Sequence, residues 1–121
     1  MIEETVIHHK ILGHDWEISF VDKDSNKINS KLSGTSCFGI CNSVAKYIFI
    51  ADNVKETIVK DTLIHELVHA YLGATLHHTE DEPEFEEEFV CEFLVNFGQP
   101  ILDDCTAILR KRAAQKMERE K

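Results

Sequence analysis

The chain has 121 residues, enough for one domain that buries roughly two thirds of its unfolded surface. Its composition, 43% hydrophobic and 29% charged, suits a globular protein, and no apolar run approaches the length of a membrane span. A net charge of −9 argues against broad contact with nucleic acid or an anionic membrane, both of which require a basic surface.

The opening segment MIEETVIHHK lacks the basic-then-apolar layout of a signal peptide, so a cytoplasmic protein is expected. Cys37, Cys41, Cys91 and Cys105 are accordingly expected as reduced thiols. Cys37 and Cys41 have no second closely spaced pair to complete a zinc ribbon and read as small apolar strand residues.

Before residue 52 the chain alternates and turns. TVIHHKIL, a turn at Gly13-His14-Asp15, and WEISFV predict a hairpin, because β-branched and aromatic residues flank a glycine-containing turn. DKDSNKINSKLSG is polar and punctuated, hence a loop or weak edge segment. CFGIC, NSVAK and YIFIA predict a second hairpin. After residue 52 the period becomes helical. Asn53 with Glu56 fits a capping box and Gly73 a stop, giving a helix over about 54–72. HHTEDEP is a connection, and Pro83 suits the first turn of a second helix running to about Phe97. Gly98-Gln99-Pro100 is expected to break it, with Asp103 or Asp104 capping a third helix whose end, about 112–121, frays. The expected architecture is α+β. It is a single domain over 1–121, with a small antiparallel sheet of about four strands (1–51) followed by three helices (52–121).

The first helix carries DTLIHELVHAYLG, residues 61–73, with the pattern H-E-x-x-H. At about 100° per residue His65 and His69 project from one face, roughly 40° apart, and can bind one metal ion as neutral imidazoles. Glu66 lies beside them, where it can reach a metal-activated water as general base without being a ligand. Leu63, Ile64, Leu67, Val68, Tyr71 and Leu72 cover much of the circumference, so the helix is expected to be largely buried. The competing reading is a pair of core histidines satisfied by backbone carbonyls, with Glu66 in a salt bridge.

A catalytic zinc takes a third protein ligand and leaves the fourth position open. Thr75 stands where a third histidine six residues after His69 would be, and His77 and His78 lie in a polar connection. The second helix offers Glu84, Glu86, Glu87, Glu88 and Glu92. Glu86 falls inside its expected apolar stripe, Glu87 at one edge, and Glu88 points away, leaving Glu86 and Glu87 as candidates.

GICNSVAKYIFIADNVKETIVKDTLIHELVHAYL followed by EEEFVCEFLVNF resembles the compact zinc peptidases of the ImmA/IrrE-like group, especially the short versions of phages and mobile elements. The resemblance covers roughly residues 37–97. It implies a gluzincin-type site: Zn2+ held by His65, His69 and a glutamate of the Glu86–Glu88 cluster, with Glu66 as general base. The spacing to Val90, Phe93 and Leu94 matches Glu87 as the third ligand. It further implies a metalloendopeptidase acting on a partner protein, such as a transcriptional repressor, and an attached helix-turn-helix module is not expected.

The oxyanion-stabilising candidates are Tyr71, His8, His9, His14, His77 and His78, and a strand edge near YIFIA is expected to hold an extended peptide. Two other readings compete. One is a zinc-stabilised binding or anti-repressor module without catalysis. The other is a protease of the SprT type, which would want a third histidine and a basic or zinc-ribbon DNA module.

Overall fold

A computed structural model describes residues 2–29, 38–75 and 87–120. The described chain is α+β, with strands β1 (Thr5–Ile11), β2 (His14–Val21), β3 (Gly39–Asn42) and β4 (Tyr47–Ala51), then helices α1 (Glu56–Thr75) and α2 (Glu87–Arg119).

Both expected hairpins form. The β1–β2 turn is centred on Leu12-Gly13, one residue before the expected position. Both residues have positive φ, 49° and 81°, the conformation whose twist suits a two-residue hairpin loop. In the β3–β4 turn the Asn42 carboxamide oxygen accepts from the backbone N–H of Val44 and Ala45, at 3.1 and 2.8 Å.

The sheet is mixed, not wholly antiparallel as expected. Its order is β1-β2-β4-β3, and β2 pairs with β4 in parallel, Ile18 opposite Ile48 and Phe20 opposite Ile50. The cause lies in the two strands' apolarity. Ile48, Ile50 and Ala51 of β4 are fully buried, so β4 belongs inside the sheet, whereas every residue of GICN is half-exposed and suits an edge. With β4 between β2 and β3, the β2–β4 pair runs parallel and the β3–β4 pair antiparallel.

One face of the sheet, including Ile18, Phe20, Ile48 and Ile50, meets Leu63, Leu67 and Ala70 of α1 and Ile101, Cys105 and Ile108 of α2. A smaller cluster of Val21, Ile28 and Ala51 lies apart from this core.

The helices depart from expectation in three places. Asn53 makes no capping box with Glu56. Its side chain bridges Lys23 N (2.8 Å) and Asp22 (3.4 Å), and the first helical bonds of α1 end on the Lys55 carbonyl. Helix α1 passes Gly73 and ends at Thr75, whose hydroxyl donates to the Tyr71 carbonyl at 2.9 Å. The expected second and third helices are one, because α2 runs unbroken through Gly98-Gln99-Pro100. Proline forfeits one backbone bond, and burial of Phe93 on one side and Ile101, Cys105 and Ile108 on the other holds the helix through it. Pro83 lies outside the described residues.

The end of α2 is docked, not frayed. Lys111, Gln115 and Arg119 donate to the carbonyls of His8, Val6 and Glu4 at 3.1, 2.8 and 3.0 Å. Eight helical residues rise about 12 Å and four strand residues about 13 Å, so three donors one turn apart match three alternate carbonyls. This arrangement covers the outer edge of β1. Among the described residues Cys41, Cys91 and Cys105 are free thiols, and no helix is long and apolar enough to cross a membrane.

Candidate metal centre

Helix α1 puts Leu63, Leu67 and Ala70 into the core, which turns His65 and His69 outward to solvent. Their ring centroids are 5.0 Å apart, edge to face. The helix is therefore less enclosed than expected: of the three ionisable side chains only Glu66, 6% exposed, is sheltered. The reading of core histidines satisfied by carbonyls goes with it, since the His65 side chain is 69% exposed.

Glu66 sits under β3. Gly39 approaches so closely that a Cβ there would stand 2.7 Å from Thr62 Cγ2, 3.1 Å from the Phe49 carbonyl oxygen and 3.2 Å from Glu66 Cγ. Together Phe38, Gly39, Asp61, Thr62, His65 and Glu66 line an open cleft of about 330 Å³. The glutamate thus forms part of a cleft wall, with its Oε1 4.0 Å from His65 Nε2. A Gly39→Ala variant is expected to lose about 2 kcal/mol through this overpacking. A urea-unfolding midpoint unchanged from wild type would contradict the contact.

The site's electrostatics favour neutral forms. Burial pushes the Glu66 carboxyl above the usual carboxylate range, against the opposing charge of His65. The shielded part of the His69 ring, then the charge of His65 beside it, hold His69 below the usual histidine value. A neutral imidazole is the form a metal ion takes. On β3, burial pushes the Cys41 thiol up to about 11; a hydrogen bond from Ser43 opposes this and the nearby Glu66 adds to it.

The structure brings together His65, Glu66 and His69 but does not add Glu87 to them. Glu87 is the exposed first residue of α2, and among the described residues no group of three or more His, Cys, Asp or Glu side chains is arranged to hold a metal ion. The stripe facing the body is narrower than the sequence suggested. Phe89, Phe93 and Phe97 stack in succession, with ring centroids 6.3 and 5.3 Å apart and Phe97 5.7 Å from Tyr71 of α1, while Val90 and Leu94 are exposed. Glu88 is exposed as well. Glu86, His77 and His78 lie outside the described residues. Two exposed imidazoles on one helical face, with a sheltered carboxylate beside them, nevertheless fit part of a zinc site as donors.

The strand edge and the oxyanion candidates also stand differently from expectation. Strand β4, YIFIA, is internal, so the edge beside the cleft belongs to β3. Tyr71 is buried and its hydroxyl donates to Asp104, so it is committed away from the cleft. Burial and then that hydrogen bond push the Tyr71 hydroxyl pKa well up. His9 is likewise engaged. The Lys111 ammonium donates to its Nδ1 at 3.1 Å, and its Nε2 donates to Asp104 at 2.9 Å. His8 and His9 stand on β1, three strands or about 14 Å across the sheet from β3. His14 begins β2, two strands from β3.

Gly39 and Thr62 are the contributors to the cleft that residue-level reading did not single out. The usable signal was a glycine inside a strand pattern, which marks close approach of another group. No protein-family model, curated protein or solved structure matches this chain.

Proposed function

We propose that the chain is a zinc-dependent endopeptidase acting in the cytoplasm on a partner protein, a transcriptional repressor being the substrate that the sequence resemblance suggests. One observation carries the reading: an exposed histidine pair on one face of α1, beside a sheltered glutamate on the wall of an open cleft. His65 and His69 would hold the metal. The third donor would come from the start of the second helix, Glu86 or Glu87. Glu87 is exposed at the start of α2 and Glu86 lies outside the described residues, so both stand as candidates.

When bound, zinc supplies Lewis acidity to a scissile carbonyl and acidifies water. Glu66 takes the proton from the attacking water and delivers it to the leaving amine. Its raised pKa brings the carboxyl closer to neutral pH, which suits a group that must both accept and return a proton. The cleft wall formed by Gly39 and Thr62 fixes the position of that carboxyl. Strand β3, outermost in the sheet and bordering the cleft, offers backbone groups to an extended peptide in place of the expected β4 edge.

Chelation tests the reading. Cleavage of an unfolded casein substrate is expected to stop with excess chelator and to return with added zinc. Cleavage that persists in chelator would show a different chemistry. The competing binding-module reading keeps the metal without needing a base at residue 66, and it is separated by the Glu66 variant described below.

A further inference from the structure

Helix α2 carries an apolar stripe uncovered among the described residues. Val90, Leu94, Val95 and Leu102 are 43%, 58%, 84% and 46% exposed. At about 100° per residue they span a sector of roughly 140° that borders Phe93 and Phe97, and farther along the helix the core residues Ile101 and Cys105 turn into the same sector. Gly98 falls within that sector, and a methyl group built on it would meet nothing within 4 Å, so the backbone is open to close approach. Four large apolar side chains are exposed along about 18 Å of one helix, unlike the single exposures scattered over ordinary surfaces.

The rim of the stripe has one sign. Glu87, Glu88, Glu92 and Asp103 are exposed around it, and residues 87–109 contain no lysine or arginine. That charge disfavours the two occupants the chain itself could supply. An antiparallel second copy centred near Gly98 would set the acids of 87–92 against 104–109, where no base stands. Residues 76–86 carry Glu80, Asp81, Glu82, Glu84 and Glu86, again without lysine or arginine. The second copy offers the acids no base, and the segment brings like charge to like charge, so neither is favoured by charge.

We propose that this face docks an amphipathic helix of a partner protein whose apolar side is flanked by lysine and arginine. Leu94 and Leu102, two turns apart, are the anchors, and Gly98 between them admits the partner's side chains. The acidic rim steers the encounter and rejects acidic helices. The proposal does not depend on zinc or on catalysis.

The test uses the full chain, 15N-labelled, with two synthetic amphipathic peptides of about 18 residues, one of leucine and lysine and one of leucine and glutamate. The lysine peptide is expected to bind with NMR shift changes confined to residues 88–103, and to weaken as salt is raised. Its affinity should fall about tenfold in Leu94→Gln and in Leu102→Gln. Val95→Gln, at the most exposed of the four positions, provides a variant that leaves the core untouched. The glutamate peptide should not bind. Shifts elsewhere, equal affinity of the variants, no binding, or a dimer in light scattering that buries the stripe would each overturn the proposal.

Discussion

Replacing Glu66 with glutamine is expected to leave zinc bound and to cut peptide hydrolysis by about a thousandfold, the usual scale for losing a positioned general base. Glutamine keeps the side chain's shape against Gly39 and Thr62 but cannot accept the proton. The substitution has a second, independent signature in stability. Burial raises the Glu66 pKa above its unfolded value, so ionisation is disfavoured in the folded chain. Wild-type apoprotein therefore loses stability as pH rises from the ordinary carboxylate range through the raised value. The glutamine variant should lack that fall and be no less stable at neutral pH, as read by urea unfolding across pH. A variant that hydrolyses peptide at the wild-type rate would remove Glu66 from the chemistry. One that retains every biological effect without hydrolysis would favour the binding-module reading.

Arg112→Ala is expected to cost about 3 kcal/mol of unfolding free energy, the scale for breaking a buried ion pair from one side. The Arg112 side chain is 7% exposed and that of Asp52 3% exposed. The guanidinium donates from Nε to Asp52 Oδ1 at 2.8 Å and from both terminal nitrogens to the Glu56 carboxylate at 2.9 Å, and lies over the Phe20 ring at 5.2 Å. Burial works against the charge of Arg112, but the hydrogen bonds with Glu56 and Asp52 outweigh it and raise its pKa. Glu56 is 75% exposed and its share is small in solvent. Most of the loss comes from Asp52, left buried with Lys116 at 2.7 Å as its one remaining cation among the described residues. The hydrogen bond from Arg112 lowers the Glu56 pKa, so the stability from that pair is present above the ordinary carboxylate value and fades as pH falls through the lowered one. The alanine variant should show a shallower acid loss. A cost under about 1 kcal/mol would mean that the cluster is no better than a surface ion pair.

These two sites also mark what could be read from the sequence. Alternation and turn residues located four strands, and helical spacing located α1, because both are local patterns. Strand order is not local. Nothing in YIFIA states that it lies beside WEISFV, and only the greater burial of β4 over β3 decides it. Pro100 was read as a break because proline removes one bond, whereas the core residues on either side outweigh that loss. Arg112 sits in RKRAAQKMEREK, a run whose composition suggests a solvated tail. Its role needs Asp52 and Glu56, 60 and 56 residues away. In the candidate site, His65, Glu66 and His69 were legible because their spacing falls within one helix. The third ligand was not, since it depends on how the start of a second helix meets the first.

Bound metal decides most directly whether His65 and His69 form a zinc site. Elemental analysis of protein purified without a histidine tag should compare wild type with His69→Ala, Glu86→Ala and Glu87→Ala. About one zinc per chain is predicted for wild type, lost in His69→Ala and in one of the two glutamate variants. The glutamate variant that loses the metal identifies the third ligand. No metal in wild type after zinc is added back would contradict the metallopeptidase account outright.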